Sequence, residues 1–538
     1  MKPMLIDEVL AALDSHPERR IWFFAGSKPA SKGFGELAGD VRALARHLQA
    51  AGVTAGMRAG LLAPNSYAWV AHDLALQMLR AIPVALPDKL PCAVAELPAR
   101  YRLNLLFVAG ELHGTETEGL PGAVPIESTL DRAVTPTLDF FTPPADPDGG
   151  EKEPVITIAF SSGSSGRLKT LKVTGSGTRQ TITAFCSLFE FRPDDHFLIF
   201  LPLSSYQQRI MVYGCILLGI DFSVVDATQL FKAFQLLRPT LLLAPPVLFE
   251  NIHESFVRGL RQTRPAQRLA FHLLGALQSL SPLPALRDRL ARLRHAKLHD
   301  TFGGRMRIFW TGMAPIRRPT LRFFSRAGLT LYEAYGLNEC GPVASNSAAA
   351  RKLGSVGRPV IPGSVVLAPD GEILVKNPFP IAVGYEDCEP GDADEVFRPD
   401  GLIGTGDLGY FDAAGFLHLN GRKKEIIVTR EGFKISPEVL EKSLNENPAV
   451  LQSVVFGNGM DALAAVVVVE TLDPTTRKAV EAHVARVNER EQDCFAIQNL
   501  HFTTTRFAVE NGQLTRNLKL DRRAIFAAHQ QALKPKST

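Results

Sequence analysis

The chain has 538 residues, 46 % of them hydrophobic and 21 % charged. These values exclude a disordered, collagenous or coiled-coil protein, and the length calls for more than one hydrophobic core. Lysine and arginine number 59 against 55 acidic residues, a net charge of +4 with no run of five or six like charges, so nucleic-acid binding has no electrostatic footprint. None of the six cysteines stands in a CxxC pair, which excludes a dense disulfide framework. Near the start, Asp7 and Glu8 occupy the place of a signal peptide's apolar core. The most apolar long stretch, 197–222, is interrupted by Gln207, Gln208, Arg209 and Asp221, so no integral membrane span is expected. The expected setting is a reducing cytoplasm.

In chain order, apolar runs at 58–64, 103–110, 154–162, 195–203, 221–227, 240–246 and 306–313 predict strands. Helical patterns fall between them, such as 34–52, whose apolar residues recur at spacings of three and four. This alternation predicts layered α/β architecture with parallel strands, with the site beyond the strands' carboxyl ends. Residues 255–300 form two basic helical segments and predict a solvated helical excursion. From Leu353 to Phe416 the chain is rich in glycine, proline and alternating strands, and a smaller α+β unit follows. The expected domains are 1–421 and 422–538.

Five segments carry chemistry. An apolar strand enters Ser161-Ser162-Gly163-Ser164-Ser165-Gly166 and is followed by Lys169. A small-residue loop of this kind lets backbone N–H groups close around phosphate while a lysine neutralises the outer charge. Tyr335-Gly336-Leu337-Asn338-Glu339 follows a strand-like run and offers a carboxylate to a magnesium ion on phosphates. Gly404-Thr405-Gly406-Asp407 reads as an aspartate on a glycine-flanked turn, able to accept from two ribose hydroxyls. The remaining two are Gly421-Arg422-Lys423-Lys424-Glu425, continuing to Gly432 and Glu438, and Leu514-Thr515-Arg516-Asn517-Leu518-Lys519. Each is a weak signal alone.

Their order and spacing resemble the adenylate-forming superfamily over nearly the whole chain, and look most like its long-chain fatty-acid ligase branch. The matches are Ser161–Lys169 to the phosphate loop, Tyr335–Glu339 to the Tyr-Gly-x-Thr-Glu motif, Gly404–Asp407 to the Thr-Gly-Asp motif, Gly371–Val375 with Gly384 and Tyr385, the hinge at Arg422–Glu441, and Arg516–Leu520. The resemblance implies a large layered N-terminal α/β domain with a small mobile α+β C-terminal lid. It implies ATP-dependent activation of a carboxylic acid, Mg²⁺, and transfer to coenzyme A or to the phosphopantetheine of an acyl carrier protein. By motif, Lys169 and Ser161–Gly166 would hold the β/γ-phosphates, and Glu339 the magnesium. Asp407 would take the ribose, with Arg422 close by, and Gly312-Met313-Ala314-Pro315 with Tyr335 and Gly336 would frame the adenine. Lys519 would bridge the attacking carboxylate and the α-phosphate. Lys424 would be the hinge, and Gly432 would lie on the thiol tunnel.

Departures from the family pattern are Leu168 for proline, Thr170 for glycine, Asn338 for threonine and Leu518 for glycine. None removes an ionic participant, which favours an active ligase over a non-catalytic adenylate-binding homologue; a luciferase-like oxidising relative is a third reading. Ser205, followed by Tyr206, stands where many relatives place a histidine near the acid. Met313 replaces a glycine, with Trp310 just before it. These two either fill part of the acyl tunnel or pack in the core. The expectation is the first, a pocket shorter than a long-chain tunnel that takes a hydroxybenzoate-like or medium-chain acid; the alternative is a long-chain fatty acid–CoA ligase.

Overall fold

The computed structural model describes residues 4–87, 90, 92–110, 123–130, 138, 140–142, 154–162, 168–430, 434–458, 460, 462–490, 496–514 and 520–533. All seven predicted runs fold as strands: Arg58–Leu62, Leu105–Val108, Val155–Ser162, His196–Ile199, Asp221–Val224, Leu241–Ala244 and Ile308–Thr311. The predicted helix spans Phe34–Ala50, and its Phe34, Leu37, Ala38, Val41, Leu44, Ala45 and Leu48 are buried on one face.

Two large sheets dominate residues 4–387. In the nine-stranded sheet, six adjacent strands run parallel: Leu331–Leu337, Ile308–Thr311, Leu241–Ala244, His196–Ile199, Asp221–Val224 and Arg20–Ala25. Its antiparallel strands lie at the margins, where short reversals replace helical crossovers. The seven-stranded sheet has Arg58–Leu62 pairing in parallel with Ile82–Ala85 and Leu105–Val108, and ends in the antiparallel strands Leu168–Thr174 and Ala382–Asp387. A separate four-stranded antiparallel sheet gathers Val365–Leu367, Glu372–Lys376, Leu402–Phe411 and Leu417–Arg422. Beyond it, Val450–Phe456, Leu463–Val469 and Ile497–Thr503 form a three-stranded sheet. Helices Pro437–Leu444, Pro474–Arg490 and Arg522–Leu533 pack around this last sheet and enclose apolar clusters of their own.

The stretch 197–222 resolves into two strands around the helix Tyr206–Leu217. Its polar interruption is structural. Arg209 is fully buried and ion-paired with Asp73, which also accepts from the Tyr213 hydroxyl at 2.5 Å. Arg209 Nη1 donates to Thr157 Oγ1 at 2.7 Å, and its guanidinium lies 5.4 Å from the Trp69 ring. A buried arginine is tolerable because its charge is met by Asp73 and both terminal nitrogens have acceptors. Burial and the Asp73 carboxylate lift the Tyr213 hydroxyl well above its ordinary value, so it stays a donor.

The basic excursion holds the helices Pro246–Arg261, Pro265–Leu280, Pro284–Arg294 and Ala296–Thr301, where two helical segments were expected. The first three start on proline, which gives up no hydrogen bond at a first helical position.

Removing the buried carboxylate leaves Arg209 uncompensated. Asp73→Ala is expected to cost about 3–5 kcal/mol in urea unfolding; a loss below about 1 kcal/mol would show that the pair does not hold helix Tyr67–Met78, which carries Asp73, to Tyr206–Leu217.

Candidate functional site

Strands Val155–Ser162 and Leu168–Thr174 form a hairpin with Ser161 opposite Lys169. Gly163, Ser164, Ser165 and Gly166 lie outside the described residues, so the geometry of the site starts from the hairpin's two arms. Ser161 is buried, and Ser162 ends its strand. Lys169 is nearly buried: its ammonium sits 2.8 Å from Asp392 Oδ2 and 5.0 Å from the centre of the Tyr385 ring.

Tyr385 joins two of the candidates. Its strand, Ala382–Asp387, pairs with Leu168–Thr174, and its hydroxyl donates to Glu339 Oε1 at 2.8 Å. Burial and the neighbouring Glu339 carboxylate push this phenol far above its ordinary value, so it remains a neutral donor. Asn338 and Glu339 occupy the turn between strands Leu331–Leu337 and Gly341–Ser345. The Asn338 amide donates to the Phe160 carbonyl at 3.0 Å, which fixes this turn against the strand that leads into Ser161. Glu339 is buried, and among the described residues no cation pairs with it. A buried carboxylate in that state calls for positive charge. Among the described residues, no cluster of three or more His, Cys, Asp or Glu could cage a metal. One carboxylate suits a magnesium ion that arrives on phosphates and keeps most of its other ligands.

Asp407 lies within the strand Leu402–Phe411, a correction to the turn expected from its glycines. Gly406 has φ +67°, and the register with Glu372–Lys376 slips where Leu408 opposes Glu372 and Gly404 opposes Leu374. The glycines therefore make a bulge, which re-aims a side chain without ending the strand. Asp407 Oδ2 accepts from the Tyr335 hydroxyl at 2.7 Å, and Oδ1 lies 2.9 Å from Arg422 Nε. Arg422 is the cross-strand neighbour of Asp407 on Leu417–Arg422. The next residues reach back toward the hairpin, with Lys424 Nζ 2.7 Å from Glu395 and 3.9 Å from Asp392. Asp392 thus faces both Lys169 and Lys424. Sequence reasoning missed it, because it sits in an acidic stretch with no motif of its own.

The segment after strand Ile308–Thr311 is tightly confined. A β-carbon on Gly312 would sit 2.7 Å from the Ala334 carbonyl oxygen, and Gly336 backs onto Gly341 and Pro342 with no space for a side chain. Met313 adopts φ +70°, a left-handed conformation that costs a non-glycine residue about 1–2 kcal/mol. Ala314 and Pro315 continue the loop with part of their surface exposed.

Trp310 keeps 1 % exposure and packs among Phe185, Phe189, Phe191 and Phe197, so core packing is the alternative this structure supports for it. Tyr206 is equally buried, with its hydroxyl 2.6 Å from Thr178 Oγ1. Of the four acid-pocket candidates, Ser205 and Met313 alone retain appreciable exposed surface. Gly432 and Lys519 lie outside the described residues; Leu514 and Leu520, on either side of the lysine segment, pair as an antiparallel bridge.

Glu333, two residues before Tyr335, accepts from the Gly354 N–H at 3.2 Å, and burial pushes its carboxyl up to about 7. A carboxyl that the fold keeps protonated contributes stability fully below about pH 4.5, and that contribution is lost as pH rises to about 7. Glu333→Gln should therefore show a shallower fall in unfolding midpoint than the native chain between pH 5 and 7.5, worth on the order of 1–3 kcal/mol. Identical pH profiles for the two chains would show that the carboxyl is not held protonated.

Compared with models of protein families, residues 11–385 match the AMP-binding enzyme and residues 424–533 the AMP-binding enzyme C-terminal domain. Among curated proteins, the chain is 28 % identical to the long-chain-fatty-acid–CoA ligase FadD15 of Mycobacterium bovis, over 93 % of this chain and 91 % of that one. It is 25 % identical to the peroxisomal long chain acyl-CoA synthetase 7 of Arabidopsis thaliana, over 97 % and 85 %. Among solved structures, the anthranilate CoA ligase AuaEII in complex with anthranoyl-AMP superimposes with a TM-score of 0.73 at 16 % identity, covering 98 % of this chain and 97 % of that one. The o-succinylbenzoate CoA synthetase of Bacillus subtilis, with its acyl-adenylate intermediate, gives 0.70 at 18 %, covering 96 % and 97 %. These structural likenesses speak to the fold.

Proposed function

The chain belongs to the AMP-binding enzyme family and has its adenylate-forming fold, and on that premise we propose that it is an acid–coenzyme A ligase acting on a fatty acid. The observation that carries this reading is a set of direct contacts among these candidates: Lys169 and Lys424 both face Asp392, Tyr385 holds Glu339, and Asp407 is held by Tyr335 and Arg422. These are the groups that a nucleoside triphosphate would need met at once.

In the first half-reaction a carboxylate oxygen bonds to the α-phosphorus of ATP while the bond to the bridging oxygen breaks, releasing pyrophosphate. In the second, a thiol sulfur bonds to the acyl carbon, AMP leaves, and the thiol proton passes to solvent. Both steps depend on positioning and charge stabilisation more than on protein acids and bases. Lys169 and Ser161–Gly166 receive the β/γ-phosphates, with Lys169 leaving Asp392 to do so. Magnesium, when bound, neutralises phosphate charge, and Glu339 would hold it. Asp407, with Tyr335 and Arg422 beside it, would accept from the ribose hydroxyls. Gly312, Met313, Ala314 and Pro315 with Tyr335 and Gly336 would frame the adenine. Lys519 supplies a compact positive charge between carboxylate and α-phosphate. The unit 422–538 acts as the lid, with Lys424 at its hinge and Gly432 on the thiol path, and its motion gates turnover.

A long-chain acid is favoured because Trp310 belongs to the core, and because relatives aligned over nearly the whole chain are long-chain ligases. Met313 supports a second reading, a medium-chain or hydroxybenzoate-like acid, since its side chain departs from the core at a strained backbone position. ATP–pyrophosphate exchange across C6 to C18 fatty acids, benzoate, hydroxybenzoates and cinnamates decides between them. Maximal exchange with C14 to C18 acids is expected. A hydroxybenzoate or octanoate optimum would overturn the long-chain assignment, and exchange with none of these acids would overturn the ligase reading. Thioester formation with coenzyme A against a phosphopantetheinylated carrier then fixes the acceptor, with coenzyme A expected.

Lys519→Ala is expected to lower adenylation at least about a hundredfold while leaving thioester formation from supplied acyl-adenylate within a few fold. An equal loss in both half-reactions would refute this division of labour.

A further inference from the structure

The helices Pro265–Leu280 and Pro284–Arg294 carry a surface that the proposed ligase chemistry does not use. On the first helix Leu269, Leu273, Leu277 and Leu280 are 61 %, 56 %, 56 % and 80 % exposed. Their spacings of four, four and three align them in one outward stripe, and Ala266 and Ala276 lie within the same arc. Leu283, between the helices, and Leu286 and Leu293 on the second are also exposed, at 61 %, 44 % and 63 %. Single exposed leucines are ordinary, but seven on one helical hairpin are not.

The hairpin's opposite face is already occupied. Phe271 stacks on the Arg294 guanidinium at 4.1 Å and packs with Phe256 and His295, while Phe256 and His295 also meet Phe323. Gly275 lies so close to Arg294 that a β-carbon there would stand 2.7 Å from the guanidinium carbon. Gln278 donates to the Arg326 carbonyl at 2.7 Å. The leucine stripe therefore points outward because its helix is seated on the domain by other residues.

Charge identifies the occupant. Between residues 262 and 299 stand Arg264, Arg268, Arg287, Arg289, Arg292, Arg294 and Lys297, with Asp288 as the sole acid. Arg264, Arg268, Arg287, Arg289 and Arg292 are exposed, and among the described residues no carboxylate lies within ion-pair distance of them. Arg258 and Arg261, at the end of the preceding helix, are paired with Glu470. A second copy of the chain on this face would oppose one arginine set to another. An anionic bilayer takes leucines into its interfacial region and offers phosphates to the arginines beside them. At 16 residues, the helix Pro265–Leu280 is about 24 Å long. Among the described residues no helix is long and apolar enough to cross a membrane. The attachment is therefore peripheral, with the hairpin lying in the surface.

We propose that the leucine stripe and flanking arginines of the 265–294 hairpin dock this protein onto anionic lipid surfaces. The proposal is independent of which acid the site takes. It is tested by co-sedimentation of the full chain with vesicles of phosphatidylglycerol and phosphatidylcholine, against pure phosphatidylcholine, at low and high salt. The native chain should partition at least about tenfold more strongly onto the anionic vesicles, and salt should weaken that binding. Leu269→Ser/Leu273→Ser/Leu277→Ser should lose at least about tenfold of it. Arg264→Gln/Arg268→Gln/Arg289→Gln should lose roughly fivefold per charge and most of the salt dependence. Both variants should keep the native unfolding midpoint and ATP–pyrophosphate exchange rate. The proposal is overturned by a native chain that stays in the supernatant, or by leucine and arginine variants that sediment like the native chain. It is equally overturned by a concentration-dependent dimer, abolished by the leucine substitutions, in a chain that ignores vesicles.

Discussion

The site depends on one buried carboxylate that holds a phenol and a guanidinium at once. Asp407 receives the Tyr335 hydroxyl from the nine-stranded sheet and the Arg422 guanidinium from the end of the four-stranded sheet, and it is itself carried on a bulge. Tyr335 and Asp407 lie on strands of different sheets, 72 residues apart in the chain, and Arg422 opens the path to the C-terminal unit. An ionised group in low dielectric fixes its donors more tightly than apolar contact can, because each lost partner leaves charge unmet. The mutual placement of sheet, sheet and lid connection is therefore set at the point where a sugar would be gripped.

The same logic runs through the rest of the site. Glu339 is reached by Tyr385, Lys169 by Asp392, and Lys424 by Glu395 and Asp392. The C-terminal unit is tied to the large domain by further polar contacts away from the site. Arg317 donates to the Val450 carbonyl, Arg318 meets Glu446, and Arg506 meets Glu254. Contacts of this kind between partly exposed groups contribute little stability singly. An interface made of them can be exchanged for another at small cost, which suits the lid motion proposed for this unit.

Much of the architecture was legible in the residues. Seven apolar runs became strands, because runs of four to eight β-rich residues between helical patterns have few other ways to be buried. The motif residues stand out in the sequence because phosphate and metal chemistry, where it operates, restricts both residue type and spacing. What sequence could not carry was orientation and long-range pairing. Gly404–Asp407 looks like a turn because the signals for a turn and for a bulge are the same glycines; only the register against Glu372–Lys376 separates them. Arg209 reads as an interruption until Asp73, 136 residues away, is placed beside it. Asp392 has no motif, and its importance comes wholly from the two lysines it faces. The basic excursion was rightly expected to be helical and solvated, but its leucines count differently once Phe271 and Gly275 are seen to claim the inner face.

The aromatic cluster around Trp310 has an optical consequence. The chain holds three tryptophans, Trp22, Trp69 and Trp310, all in the large domain and none after residue 421. Trp310 sits among phenylalanine rings with no partner for its indole N–H among the described residues, and Trp69 is also buried. An indole kept from water and from hydrogen bonds emits toward the blue, so the intrinsic fluorescence of this protein reports the integrity of the large domain's interior. Events confined to the C-terminal unit leave that emission unchanged, and far-ultraviolet circular dichroism records both parts together. The difference between the two signals during denaturation is a direct gauge of whether the two parts of the chain melt as one.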